Sequence, residues 1–491
     1  MLPVIQCILR DLFNHLQVTQ RLVVCCFSLL AVINAYAIRL CLDFTLQRIV
    51  RDSNKLKVEG ELELGSPSNP PTRQRGGGSP TNQPQHKNTL QIKLPQNLFI
   101  TTSNSTDIWS KEVQALVSIS FYAGYMITHI PGGRLAERYG GKWILGGSIL
   151  LSAMLTLLTP TIVRNGGPNA LIFLRLLIGV CEGPTFPAIS VLLAQWVPEK
   201  ERALLCSCVL SGGEIGTTFT HLVSGFGLND QDWAVAFYVV GSGALLWFVG
   251  FVLVCYSSPD ASPYIESGEL DYIRDQVSAT LVNEDAGASG NVPWSSMLMN
   301  APIWALVVAN MQHDWSQQKL AKELVQLLDE LERNGKTIWM ELESSLQLIA
   351  PHLCSWLASI ISGSLSDYLI DKGILSRTQT RRLMSWLVFV SISMHLVHHQ
   401  ESFARSWIIL AFGAYYAGIK LLPLDMSPNF AGTLMGISNG LGALPGLLMP
   451  LLQQLESEYA IVGTIRAALW LVCAGYISGD VQSYNEMPIR V

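Results

Sequence analysis

The chain has 491 residues, a mean hydropathy of +0.32 and only 14% charged residues, where soluble domains carry about 25%. So apolar a chain cannot cover a water-facing surface with polar groups, which excludes a soluble enzyme. Its net charge of -5 offers no basis for nucleic-acid binding. The ten cysteines fall mostly in or beside apolar runs and form no CxxC or Cys/His spacing, so neither a disulfide framework nor a metal site is expected.

Crossing about 30 Å of hydrocarbon takes about 20 mostly apolar residues. Such runs fall at 22–44, 113–131, 143–163, 170–197, 203–228 and 233–257. After a polar segment at 258–300 they resume from 301 onward and at 346–365, 383–398, 406–424, 431–452 and 461–477. The pattern predicts an all-α membrane protein of about twelve transmembrane helices in two six-helix halves. The halves are 22–257 and 301–477, the linker is 258–300, and the tails are 1–21 and 478–491. Ala35-Tyr36-Ala37 mimics a signal-cleavage site, but the polar lead-in with Asp11 and the many later spans argue against removal.

Lysine and arginine bias orients the chain. With the N-terminus in the cytoplasm, the cytoplasmic loops hold Arg134, Arg138, Lys142, Lys200, Arg202, Lys372, Arg377, Arg381 and Arg382. The short outer loops hold only Arg164 and Arg405. The long loop at 51–110 then faces outward or into a lumen, and its Pro-, Gly-, Ser- and Gln-rich middle at 66–84 is expected to be disordered. Asn104-Ser105-Thr106 in this loop is a glycosylation sequon, making Asn104 the expected acceptor.

Between the second and third spans stands Gly132-Gly133-Arg134-Leu135-Ala136-Glu137-Arg138-Tyr139-Gly140-Gly141-Lys142. Between the eighth and ninth stands Gly363-Ser364-Leu365-Ser366-Asp367-Tyr368, with Lys372, Arg381 and Arg382 beyond. Both place an acid four residues after a glycine at the same point of a six-span unit. Glycine permits close helix approach, and the acid can pair with a base or a helix end across the two halves. Gly133, Glu137, Arg138, Gly363 and Asp367 are therefore the expected conformational latch. An ordinary polar turn carrying positive-inside charge is the bland alternative. The loop resembles the signature of the major facilitator superfamily, whose halves are parallel repeats.

Ionisable groups inside spans are costly and mark function by default. Arg39 lies late in the first span and Arg175 early in the fourth, so both fall at similar depth in the outer half. Two guanidiniums facing one cavity repel unless an anion bridges them, and arginine grips carboxylate or phosphate bidentately. Snorkelling to headgroups is the alternative. Glu182 follows Arg175 by two helical turns, about 10 Å along one face. Low dielectric favours a protonated carboxyl over a carboxylate, the chemistry proton coupling needs; a static partner for a nearby base is the other reading. Pro184 and Pro187 can bend the helix just beyond. Glu214, among the small residues of Ser211-Gly212-Gly213-Glu214-Ile215-Gly216, fits either a second coupling site or a hydrogen-bonded interface residue. Lys420 is read as a snorkelling side chain, and Arg466 lies near a span boundary. His395, His398 and His399 have helical metal-ligand spacing but stand at an outer helix end, and no metal is expected there.

Three stretches resemble the anion transporters that include sialin, the vesicular glutamate transporters and the type I sodium–phosphate cotransporters. They are Gly124-Tyr-Met-Ile-Thr-His-Ile-Pro-Gly-Gly133, Arg175-Leu-Leu-Ile-Gly-Val-Cys-Glu182-Gly-Pro-Thr-Phe-Pro187, and Asp425-Met-Ser-Pro428-Asn-Phe-Ala-Gly432 with Gly436, Asn439 and Gly440. The tail from Ser478 to Asn485 is similar to that family's ending. The resemblance implies that Arg39 is the first-helix arginine, Arg175 the substrate arginine and Glu182 the coupling glutamate. It implies a small organic anion or inorganic phosphate as solute, H+ or Na+ as coupling ion and no cofactor. Tyr122, Asn310 and His313 complete the expected substrate lining. The chain departs from the glutamate transporters at Ser118 and His313, where they carry histidine and arginine. It departs from the family at Leu422, the usual place of a helix-ten asparagine.

The seventh span is unusual. Its apolar part, 301–315, reaches only about 22 Å. Leu320, Leu324, Leu327, Leu328 and Leu331 then form a stripe opposed by charges. Either the charged face lines a wet cavity, or the helix ends early and an amphipathic segment lies at the outer interface. The leading function is secondary anion transport by alternating access; the competing one is an anion-binding or receptor-like membrane protein that has lost transport. A monomer in the lipid bilayer is expected. The want of an acidic dileucine signal in the cytoplasmic tails favours the plasma membrane over a vesicular or lysosomal one.

Overall fold

The computed structural model describes residues 18–64, 109–225, 232–277, 292–333, 338–397 and 413–452. Its elements are all helical. Among the described residues, five segments are long and apolar enough to cross a membrane: Gln20–Ser53, Lys111–Tyr139, Gly141–Trp196, Ala234–Val254 and Ile349–Asp371.

Helix α1 (Gln20–Leu64) holds the first span but does not stop near residue 44. Residues 51–64, expected as the start of the outer loop, extend it; they lack proline and are rich in lysine, glutamate and leucine, all strong helix formers. The remainder of that loop, with residues 66–84 and Asn104, lies outside the described residues. Helix α2 (Lys111–Tyr139) is the second span. Helix α3 (Gly141–Glu182) carries the third and fourth in one trace, folded at Gly167. That glycine adopts φ 63°, a conformation side chains disfavour, and Pro168 follows it. The fourth span continues as α4 (Thr185–Trp196) after the break at Gly183 and Pro184. The fifth is split at Ser211 into α5 (Arg202–Leu210) and α6 (Gly212–Gly225), and the sixth is α7 (Ala234–Val254).

The polar linker contributes helices of its own. Its helix α8 (Ser267–Val277) sets the Glu269 carboxylate against the first turn of α1, accepting from Gln20 N at 2.8 Å and Arg21 N at 3.0 Å. A short α9 (Trp294–Leu298) precedes α10 (Ala301–Arg333). Helix α10 is the seventh span, and it is unbroken past Trp315, which removes the early-ending alternative. The residues from 319 to 333 include many good helix formers and neither proline nor glycine, so the backbone has no cause to stop. The eighth and ninth spans are α11 (Ile338–Asp371) and α12 (Arg377–Val397). The described part of the tenth contains a π-turn at Tyr416–Lys420 before α13 (Leu422–Met426). The eleventh is α14 (Ala431–Gly442) and α15 (Leu444–Leu452). The predicted twelfth span and the tail lie outside the described residues.

The halves meet by a repeated contact. Helix α2 packs on α14 and α15, and α11 packs on α5 and α6. Spans two and eight hold equivalent places in the two halves, as do five and eleven, so one contact is made twice about a pseudo-twofold axis. Glycine makes both approaches possible. A Cβ on Gly363 would stand 2.7 Å from the Ala203 carbonyl oxygen, and one on Gly133 would run into the Gly432 backbone.

Candidate functional site

The two signature loops close one end of the molecule through their acids. Glu137 Oε1 accepts from Thr433 N at 2.6 Å and Oε2 from Thr433 Oγ1 at 2.8 Å, in the first turn of α14. Asp367 Oδ1 accepts from Ala203 N at 3.0 Å and Oδ2 from Leu204 N at 2.8 Å, in the first turn of α5. Each acid thus caps the exposed N–H groups of a helix in the opposite half, where the helix dipole also favours negative charge. Hydrogen bonds to a charged group contribute about 1.5–3 kcal/mol each. Arg138 does not join them. It is exposed and lies over the Tyr139 ring, whereas Arg134 reaches Glu137 at 3.4 Å.

Beside the loops is a buried ion cluster that the sequence reading did not assemble. Arg381 Nε donates to Asp425 Oδ2 at 2.7 Å, and Arg202, from the other half, stands 3.6 Å from Oδ1. Asp425 and both arginines are fully or almost fully buried. The signals were an aspartate closing the tenth span and arginines at loop ends. Ordinary positive-inside charge had already accounted for the arginines.

Midway through the bundle, α2 and the second part of α3 nearly touch at Gly124 and Gly179. A Cβ there would stand 2.8 Å from Val180 N and 2.9 Å from Tyr125 N respectively. This approach brings Phe121, Tyr122 and Tyr125 of α2 between the two predicted arginines. The Arg39 guanidinium carbon lies 4.6 Å from the Tyr122 ring centre, 5.5 Å from Tyr125, 5.6 Å from Phe121 and 5.7 Å from Tyr36. Arg39 Nη2 also donates to Tyr122 Oη at 2.7 Å. Arg175 lies over the other side of the same cage, 4.8 Å from Phe121, and donates from Nη2 to the Arg39 carbonyl at 3.1 Å. Both guanidiniums thus lie within 6 Å of the Phe121 ring centre; Arg39 is half-buried and Arg175 is only 2% exposed.

One expectation needs correction. The sequence reading left the guanidiniums to repel until an external anion bridged them. The chain supplies a carboxylate itself, since Arg175 Nη2 stands 3.4 Å from Asp43 Oδ1. Asp43 lies one helical turn after Arg39, a spacing readable in the sequence, but its place at the end of the first apolar run disguised it as a boundary residue.

Glu182 is buried with no ion pair among the described residues, and its Oε1 has no hydrogen-bond partner. Glu214 is also buried but crowded with donors from the second half: His352 Nδ1 at 2.7 Å from Oε2, and Gln317 Nε2 at 2.8 Å and Tyr416 Oη at 3.2 Å from Oε1. This is the hydrogen-bonded interface arrangement. His313 stacks on Tyr415 with ring centres 3.6 Å apart, and Asn310 Oδ1 accepts from the Tyr415 hydroxyl. Neither is in the Arg39 cage. Lys420, read as snorkelling, is instead 6% exposed and donates to Asn439 Oδ1 in the interior. The expected glycan acceptor Asn104 lies outside the described residues.

The bundle joins two helical halves through equivalent loop contacts around buried charges. A family model described as Major Facilitator Superfamily matches residues 84–450. The solved proton:xylose symporter XylE, bound to 6-bromo-6-deoxy-D-glucose, superposes with a TM-score of 0.61 over 95% of this chain and 98% of that one; at 12% identity it bears on the fold alone. The chain belongs to the major facilitator superfamily, as an integral multi-pass transporter and not an enzyme. Within it, human sialin is 31% identical over 381 residues, 76% of this chain and 75% of sialin. Human vesicular glutamate transporter 2 is 31% identical over 352 residues, 70% of this chain and 59% of that transporter.

The latch generates a prediction. In the double variant Glu137→Gln, Asp367→Asn the helix caps lose their charge, and the latched ends separate more readily. Spin labels at the exposed positions Tyr139→Cys and Ile374→Cys should report a longer, broader distance distribution in this variant. An unchanged distribution would remove the latch.

Proposed function

We propose that the chain carries a small organic anion or inorganic phosphate across a membrane by alternating access, coupled to protons. The observation that carries this reading is the convergence of Arg39 and Arg175 on the single Phe121 ring, with Asp43 as internal counter-ion. Aromatic faces and one part-exposed carboxylate compensate two guanidiniums incompletely. An arriving carboxylate or phosphate completes the neutralisation and can replace Asp43 on Arg175, which matches the solutes in the printed name of the glutamate-transporting relative. Glu182, buried without an ion pair, takes the coupling proton. Glu214 serves as a contact between halves. The latched end faces the cytoplasm, as the lysine and arginine bias indicates, and the plasma membrane is the preferred location.

In proteoliposomes, Arg175→Ala should abolish anion uptake while leaving the amount of folded, inserted protein intact; full uptake would refute the site. Glu182→Gln should flatten the dependence of uptake on an imposed pH gradient, and an unchanged profile would exclude Glu182 as the proton carrier. Asp43→Asn removes the competing carboxylate. Because a partly exposed ion pair contributes up to about 1 kcal/mol, anion affinity should rise by about two- to fivefold. Weaker binding in that variant would show that Asp43 positions Arg175 rather than competing for it.

A further inference from the structure

Lys420 is a buried charged residue of the described core for which the latch, the Asp425 cluster and the arginine cage give no use. It ends the π-turn Tyr416–Lys420, and such turns inside helices are frequent at functional sites. Its ammonium has three donors. Asn439 Oδ1 takes one, and the rings of Phe186 at 4.9 Å and Tyr415 at 5.9 Å lie beneath it. No carboxylate stands within ion-pair distance of Nζ among the described residues. Asp314 acts on the ammonium only from beyond that distance, and an ammonium without a contacting carboxylate is costly at this depth, a cost that a visiting anion would offset.

Its surroundings connect it to both groups of predicted binding residues. The Tyr415 ring beneath it is the one that stacks on His313 and bonds Asn310. Asn439, its hydrogen-bond partner, also donates through Nδ2 to Tyr125 Oη at 3.2 Å, and Tyr125 is a wall of the Arg39 cage. Phe186 meets Tyr36, a second wall of that cage, with ring centres 6.3 Å apart. Arg39 from the first half and Lys420 from the second therefore flank one aromatic partition.

From this placement we infer that Lys420 is a substrate-binding residue of the second half, and that the preferred solute is an organic anion with two separated acidic groups. One group is held at Arg39 and Arg175, the other at Lys420. The inference rests on the anion site proposed above and adds its second pole. A two-headed solute would tie the halves together when bound, whereas a singly charged one would satisfy only the first half.

The test uses purified full-length protein and three dicarboxylates, succinate, glutarate and adipate, each compared with its mono-amide, which has nearly the same shape and one charge fewer. At least one diacid should bind wild-type protein tenfold or more tightly than its mono-amide. In Lys420→Met that preference should fall below twofold, and Lys420→Arg should retain it. Equal binding of every diacid and its mono-amide by wild-type protein overturns the inference, and this comparison stands even if Lys420→Met does not fold. A preference that survives in folded Lys420→Met overturns it equally. Where Arg175→Ala abolishes binding of diacids and mono-amides that wild-type protein does not distinguish, the anion site stands and only its second pole falls. Wild-type protein that binds none of these anions, nor inorganic phosphate, overturns both.

Discussion

Charge removed from water must be met by opposite charge or by oriented dipoles, and this requirement organises the structure. The chain satisfies it in three ways. At the latched end, acids are met by the N–H groups of helix starts. Next to them, Asp425 is met by Arg381 and, more distantly, Arg202. In the centre, the cations are met mainly by aromatic faces, with Asp43 beside Arg175.

The caps suit a latch because they are strong and replaceable. A carboxylate on a helix start gains charge-assisted hydrogen bonds and a favourable dipole. When the halves part, water can take over both the freed N–H groups and the freed carboxylate, so neither is stranded in an apolar medium. Because the contact is made twice about a pseudo-twofold axis, both copies open together under one rigid rocking motion. Glu269 caps α1 by the same device from the linker, which fastens the connecting segment to the first half.

The central region is less symmetric. The first half contributes two arginines, Asp43 and Glu182, while the second contributes Lys420 with Asn439, and Tyr415 with its hydrogen bond to Asn310 and its stack on His313. Helix seven carries His313, and the tenth span carries Lys420 two residues before Leu422. Helix α10 runs unbroken past Trp315 into the polar sequence beyond it.

Local sequence was enough to announce the helices, the parallel repeat and the latch acids, because each depends on spacing along the chain: about 20 apolar residues for a span, four residues from glycine to acid for the loop. It also marked Arg39, Arg175 and Glu182, since an ionisable group in an apolar run is conspicuous wherever it points. What the acids cap, which arginine takes Asp43, and where the Lys420 ammonium goes were decided by tertiary structure. These pairings join residues far apart in the chain, and a lysine four carbons long can reach headgroups or interior with no change in sequence. Asn439 and the rings of Phe186 and Tyr415 decide for the interior, and only the folded bundle brings them together.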